Sequence, residues 1–119
     1  MIMDHEGWRA LIQERLAQAE SQRTALQAAI EEMRDARRLT FTDDEHDPEG
    51  STVSLDQARD TALLDRVTAS VVELAAARER LAEGTFGQCE RCGRSIPEGR
   101  LEARPEARTC VDCAAGSRR

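Results

Sequence analysis

The chain has 119 residues, of which 34% are charged and only 3% aromatic, and it carries a formal net charge of −6. One Trp, two Phe and no Tyr supply few large side chains for a broad core. That excludes a sandwich, a barrel or a doubly wound sheet and favours surface-rich helices built from good helix formers. No stretch approaches the roughly 20 apolar residues of a membrane span. The acidic start MIMDHEGW lacks a basic-then-apolar signal pattern, so the chain is read as cytoplasmic.

Residues 5–39 read as a first helix. Ile12, Leu16, Ala19, Arg23, Leu26, Ile30, Met33 and Arg37 step alternately by four and three, a heptad seam with two Arg interruptions. No Gly or Pro breaks the run from Trp8 to Glu45. An acidic stretch follows. Asp43, Asp44, Glu45, Asp47, Glu49 and Asp56 fall between residues 39 and 58, where there is no Arg. That segment holds the whole charge imbalance, because the rest sets 17 Arg against an equal number of acids, and Lys is absent throughout. A protein that grips a nucleic-acid backbone normally shows a basic excess. The acidic stretch instead points to a positive or metal-containing partner surface.

Residues 54–83 read as a second helix, with seam Leu64, Val67, Val71, Leu74, Arg78 and Leu81. Ser54 and Gln57 resemble a capping box at its start, and Gly84 is the candidate left-handed residue after its end. The two seams pair by arithmetic. Ile12 with Leu81, Ala19 with Leu74 and Leu26 with Val67 share one residue-number sum, as an antiparallel hairpin requires. Ile30 with Leu64 departs from it by a single residue, Met33 falls opposite Asp60, and Arg37 falls opposite Gln57. The midpoint lies at His46–Asp47, so the pattern places the carboxylates at the far tip. At about 1.5 Å per residue each helix spans roughly 45–50 Å. The expected fold is mostly α: a long antiparallel coiled-coil hairpin over 1–83, with its acidic tip at 40–50, and a small module over 84–119. A hairpin that buries its own seam is read as a monomer. Without the C-terminal module it would be read as a plain coiled-coil spacer. Trp8 is read as packing at the base, near Phe86.

The module contains Cys89-Glu90-Arg91-Cys92, then 17 residues, then Cys110-Val111-Asp112-Cys113. Two CxxC pairs supply Cys89, Cys92, Cys110 and Cys113 as four thiolates for one tetrahedral, structural Zn²⁺. Gly93 follows the first pair, where a metal knuckle needs a permissive backbone. A module this small buries too little apolar surface to fold alone, so the metal supplies folding energy. Comparable spacing occurs in GATA-type fingers, which makes a DNA-binding finger on a coiled-coil arm the alternative function. That alternative lacks a basic face: residues 84–119 hold seven Arg against five acids, and a zinc tetrathiolate adds about −2. No triad, phosphate loop or paired-carboxylate pocket points to an enzyme.

With both parts in view, the sequence resembles the DksA/TraR family of bacterial transcription regulators. The stretch GTFGQCERCGRSIPEGRLEARPEARTCVDC, residues 84–113, is close to that family's zinc signature, and the helical hairpin with an acidic tip is its other mark. The resemblance implies binding to RNA polymerase, with the hairpin inserted through the secondary channel and the acidic tip near the catalytic Mg²⁺. It implies modulation of initiation without covalent chemistry. The family's Asp-x-x-Asp-x-Ala tip maps onto Asp44-Glu45-His46-Asp47-Pro48-Glu49, with Glu49 in place of Ala, so Asp44 and Asp47 are the candidate pair, supported by Asp43 and Glu45. Aligning on the zinc motif moves the tip to His46 and Glu49. The family also implies contacts to the alarmone ppGpp. Arg104 matches one of these, whereas Glu73 and Ala114 stand where basic residues are expected.

Overall fold

The computed structural model describes residues 3–40 and 49–116, with side chains except at 40 and 49–54. The expected tip residues Asp43, Asp44, Glu45 and Asp47 lie outside them. Four helices follow in order: α1 (His5–Thr40), α2 (Glu49–Glu83), α3 (Glu98–Ala103) and α4 (Val111–Ala114). Among the described residues no strand forms, and the one β-type pairing is an isolated antiparallel bridge between Gln88 and Ser95.

α1 starts where Asp4 supplies a cap. Its Oδ1 accepts the Gly7 N–H at 2.9 Å, and its carbonyl accepts the Trp8 N–H at 3.0 Å, satisfying donors that a helix start leaves unpaired. Glu6 in the first turn and Arg37 and Arg38 in the last suit the helix dipole. α2 begins at Glu49, five residues before the start expected from the Ser54–Gln57 pair. Ser54 is therefore an interior position of α2 rather than its start. Nothing after Pro48 forbids a helix, Glu49 suits its positive end, and Gly50 costs only about 1 kcal/mol, which the remaining turns absorb. The other end of α2 matches expectation. Gly84 has φ +88°. Gly84 N–H bonds the Leu81 carbonyl at 3.3 Å and Thr85 N–H bonds the Arg80 carbonyl at 2.9 Å, a full Schellman motif.

The chain divides into two compact units, one made of Met1–Ala17 with Ser70–Arg119 and the other of Gln18–Ala69. In the first, Trp8 and Ile12 lie one turn apart on α1, and Ala77 and Leu81 one turn apart on α2. They form one buried cluster with Cys89, Ile96 and Leu101. The Trp8 and Phe86 rings meet with centroids 5.2 Å apart, tilted by 55°, a favourable aromatic geometry and the contact expected from sequence. Arg78 Nη1 donates to Gln13 Oε1 at 3.3 Å, linking α2 to α1 within this unit. In the second unit the buried apolar residues among those described are Ala19, Ile30 and Val67. Leu26, Met33, Leu63 and Leu64 are only half-buried. Arg37 Nη1 donates to Gln57 Oε1 at 2.9 Å, the expected pairing. This unit is weakly packed, so its local stability is the lower of the two.

Ile12 is fully buried, and Ile12→Ala should destabilise the zinc-loaded protein by about 2–5 kcal/mol. Leu55 is 71% exposed, and Leu55→Ala should change stability by no more than about 0.5 kcal/mol. Guanidinium denaturation of both variants checks the contrast.

Candidate metal centre

The first cysteine pair sits on a tight knuckle. Cys89 N–H donates to the Arg94 carbonyl at 2.8 Å, Gly93 N–H to the Cys89 carbonyl at 3.0 Å, and Ile96 N–H to the Gly87 carbonyl at 2.8 Å. Gly93 adopts φ +78°, the left-handed conformation its position demanded. The second pair is set by a helix start. Cys110 is the N-cap of α4, with extended backbone angles, and Cys113 lies within that turn. A spacing of three residues brings both side chains to one side.

Between the pairs, α3 holds the module together. Its Leu101 is buried in the unit's core. Arg100 Nε donates to the Thr109 carbonyl at 2.9 Å, tying α3 to the segment entering the second pair. Arg104 ends α3 at φ −138°, ψ 81°, outside the helical region that a following proline disfavours, and Pro105 is fully buried. Glu90 N–H donates to the Arg108 carbonyl at 2.9 Å, joining the two cysteine segments directly.

The four sulfurs all lie within 4.8 Å of one another, and Cys92 Sγ is 3.9 Å from Cys110 Sγ. A tetrahedral Zn²⁺ with bonds of about 2.3 Å requires sulfurs about 3.8 Å apart, so the residues present fit that ion. Among the described residues this is the one group of His, Cys, Asp or Glu side chains placed to share a metal. Four thiolates fill the tetrahedron and leave no position for substrate, so the zinc is structural. Cys89 is buried among the core residues, Cys110 and Cys113 are half-buried, and Cys92 is exposed. Backbone N–H groups, first that of Cys92, pull the Cys89 thiol down to about 6 against its burial. Burial, then hydrogen bonding to Cys110, pushes the Cys113 thiol up to about 12. A cluster that favours one anion and resists another is one that a dication relieves.

An ion-pair network escaped the sequence reading. Arg108 Nε contacts Glu73 Oε1 on α2 at 2.6 Å, and its Nη1 contacts Glu90 Oε2 at 2.8 Å. Arg15 of α1 donates to the carbonyls of Glu102 and Ala103 at 2.9 and 3.0 Å. Arg104, the residue matched to a ppGpp contact, is 68% exposed, with Nε 3.7 Å from Glu106 Oε2. No periodicity marks these pairs, because their separations follow the turns of the module rather than a helix repeat.

Removal of the metal with a chelator should unfold the module and red-shift the emission of Trp8, the sole Trp, because Phe86 and Cys89 share its packing. An unchanged spectrum in fully metal-free protein would separate the site from the core. Zinc binds deprotonated sulfur, so protons compete with it. Cys113 must lose its proton at neutral pH, while Cys89 is protonated only below about 6. Apparent zinc affinity should thus fall with pH, and more steeply below about pH 6. Competition against a chromophoric chelator from pH 8 to 5 measures this.

Comparison with known proteins agrees with this geometry. The model of the prokaryotic dksA/traR C4-type zinc finger matches residues 84–119. An uncharacterized protein of Aquifex aeolicus is 46% identical over 56 residues, 44% of this chain and 39% of that protein. General stress protein 16O of Bacillus subtilis is 33% identical over 72 residues, 60% and 44% of the two chains. The RNA polymerase-binding transcription factor DksA of Haemophilus influenzae is 41% identical over 49 residues, 41% and 34%. The chain thus spans less than half the length of these curated relatives. The solved structure of transcription factor DksA2 from Pseudomonas aeruginosa superposes with a TM-score of 0.52 at 26% identity, covering 89% of this chain and 81% of that one. Residues 84–119 thus match the dksA/traR C4-type zinc finger, with the four cysteines as its ligand set, and the fold of the chain is similar to that of DksA2.

Proposed function

We propose that this protein is a transcription regulator that binds RNA polymerase at the secondary channel and sets its acidic tip near the catalytic centre to modulate initiation. The observation that carries this reading is the joining of a C4 zinc finger to two long helices, 36 and 35 residues. A relative that shares this finger is named as an RNA polymerase-binding transcription factor. Helices of that length reach about 50 Å, enough to enter a deep pore. The carboxylates of Asp43, Asp44, Glu45 and Asp47 are hard oxygen donors, suited to Mg²⁺ or to basic polymerase loops. The protein acts as a cytoplasmic monomer and performs no covalent chemistry. Among the described residues no helix is long and apolar enough to cross a membrane.

The ion pairs bear on ppGpp. Glu73 places a carboxylate at 2.6 Å from Arg108, where a basic residue would serve an anionic nucleotide. Arg104 stands beside Glu106. These local charges support action without the alarmone.

Purified, zinc-loaded protein should retain RNA polymerase in a pull-down and compete with other secondary-channel factors. Changing Asp44 and Asp47 to Asn should keep that binding and abolish the effect on transcription in vitro, equally with and without ppGpp. Normal regulation by the double variant would overturn the tip mechanism. Binding to naked promoter DNA that weakens as salt rises, with no polymerase retained, would favour a DNA-binding finger.

A further inference from the structure

Arg80 is the oddest charged residue among those described. It lies one residue before Leu81, so its backbone belongs to the base of α2. Its Nη1 and Nη2 atoms are shut from solvent and have no hydrogen-bond partner. A guanidinium carries five donors and stays charged, and unsatisfied buried donors of this kind are costly. Burial, and then the like charge of Arg108, disfavours its cation, while Glu90 and Glu73 favour it. The four groups sum to zero charge, yet both recorded contacts to the carboxylates come from Arg108.

The arrangement of these four groups is unequal. Glu73 and Arg80 lie seven residues apart on α2, about 10.5 Å along its axis, and so share a face two turns apart. Arg108 and Glu90 belong to the zinc module and are joined through the Glu90 N–H and the Arg108 carbonyl. The Arg108–Glu73 pair therefore crosses from module to helix, whereas the Arg108–Glu90 pair stays within the module. Arg108 spends one arm of its fork where no cross-link results, while Arg80 sits on the helix with two unpartnered nitrogens.

We propose that Glu90 exchanges between Arg108 and Arg80, so that the module carries a two-position latch on α2. In the observed position one ion pair spans module and helix. In the other, Glu90 turns to Arg80, Arg108 keeps Glu73, and two ion pairs span them. The exchange satisfies the orphaned guanidinium, breaks no covalent bond and moves no proton. It gives the zinc module two seats of different tightness, available to a partner that binds one in preference.

The test is a double-mutant cycle on the full zinc-loaded chain, followed by thermal unfolding. Arg80→Met keeps the packed stem and removes the orphaned charge. In the native background it should leave the midpoint unchanged or raise it. Arg108→Lys retains a cation but loses the planar fork that holds two carboxylates, which frees Glu90 for Arg80. In that background Arg80→Met should lower the midpoint by roughly 4 °C or more. Equal shifts in the two backgrounds, or none in either, would overturn the latch and leave Arg80 a packing residue. If Arg108→Lys does not retain zinc, Glu73→Gln provides the second background, because it removes the engaged cross-link and leaves Arg80–Glu90 to replace it. The same contrast between backgrounds supports the latch there, and its absence overturns it.

Discussion

The burial of Cys89 in the helix core ties this structure together. Its sulfur belongs to two systems at once, a metal-ligand set and an apolar cluster that includes Trp8, Ile12, Ala77 and Leu81. A module with so few apolar side chains cannot bury enough surface to order itself. Zinc supplies the missing free energy, and the cysteine carries it into the helices. The helices in turn give the module a wall to fold against. Each part is therefore incomplete without the other, although a boundary at Gly84 separates them in sequence.

Around that junction, arginine does what lysine could not. Arg108 spans two carboxylates, Arg15 spans two successive carbonyls, and Arg100 reaches the Thr109 carbonyl. Two of these three use the planar fork to hold two acceptors at once, which an ammonium point charge does less well. The Lys-free composition reads differently in that light: basic residues here act as brackets between loops and helices as well as solubilising charge.

The long helices were legible because nothing interrupts them: α1 runs without Gly or Pro from Trp8 onward, and its seam repeats in heptads. The pairing of Arg37 with Gln57 and the left-handed turn at Gly84 followed from simple counting and from backbone chemistry. The start of α2 was misjudged for a physical reason. Ser54 is a good cap, but a cap preference of about 1 kcal/mol does not stop a helix that can extend upstream to Glu49. The metal ligands were plain from two CxxC pairs, since thiolate spacing reflects the geometry of a single ion. The Glu73–Arg108–Glu90 network was not. Its members are 35 and 18 residues apart, and only the folded path of the module brings them together.

The unit that holds the metal is discontinuous, drawing on Met1–Ala17 and Ser70–Arg119. During synthesis the first segment leaves the ribosome long before its partners exist. Trp8 and Ile12 must wait for Ala77, Leu81 and finally Leu101 before they are covered. The intervening residues, Gln18–Ala69, form a unit of their own. The apolar cover is complete only once Leu101 has been made, and the ligand set only once Cys113 has. Such non-local contacts are slow to form and leave apolar surface exposed meanwhile. Zinc capture therefore belongs to the last stage of the chain's synthesis, because Cys113 is the last of the four ligands to be made.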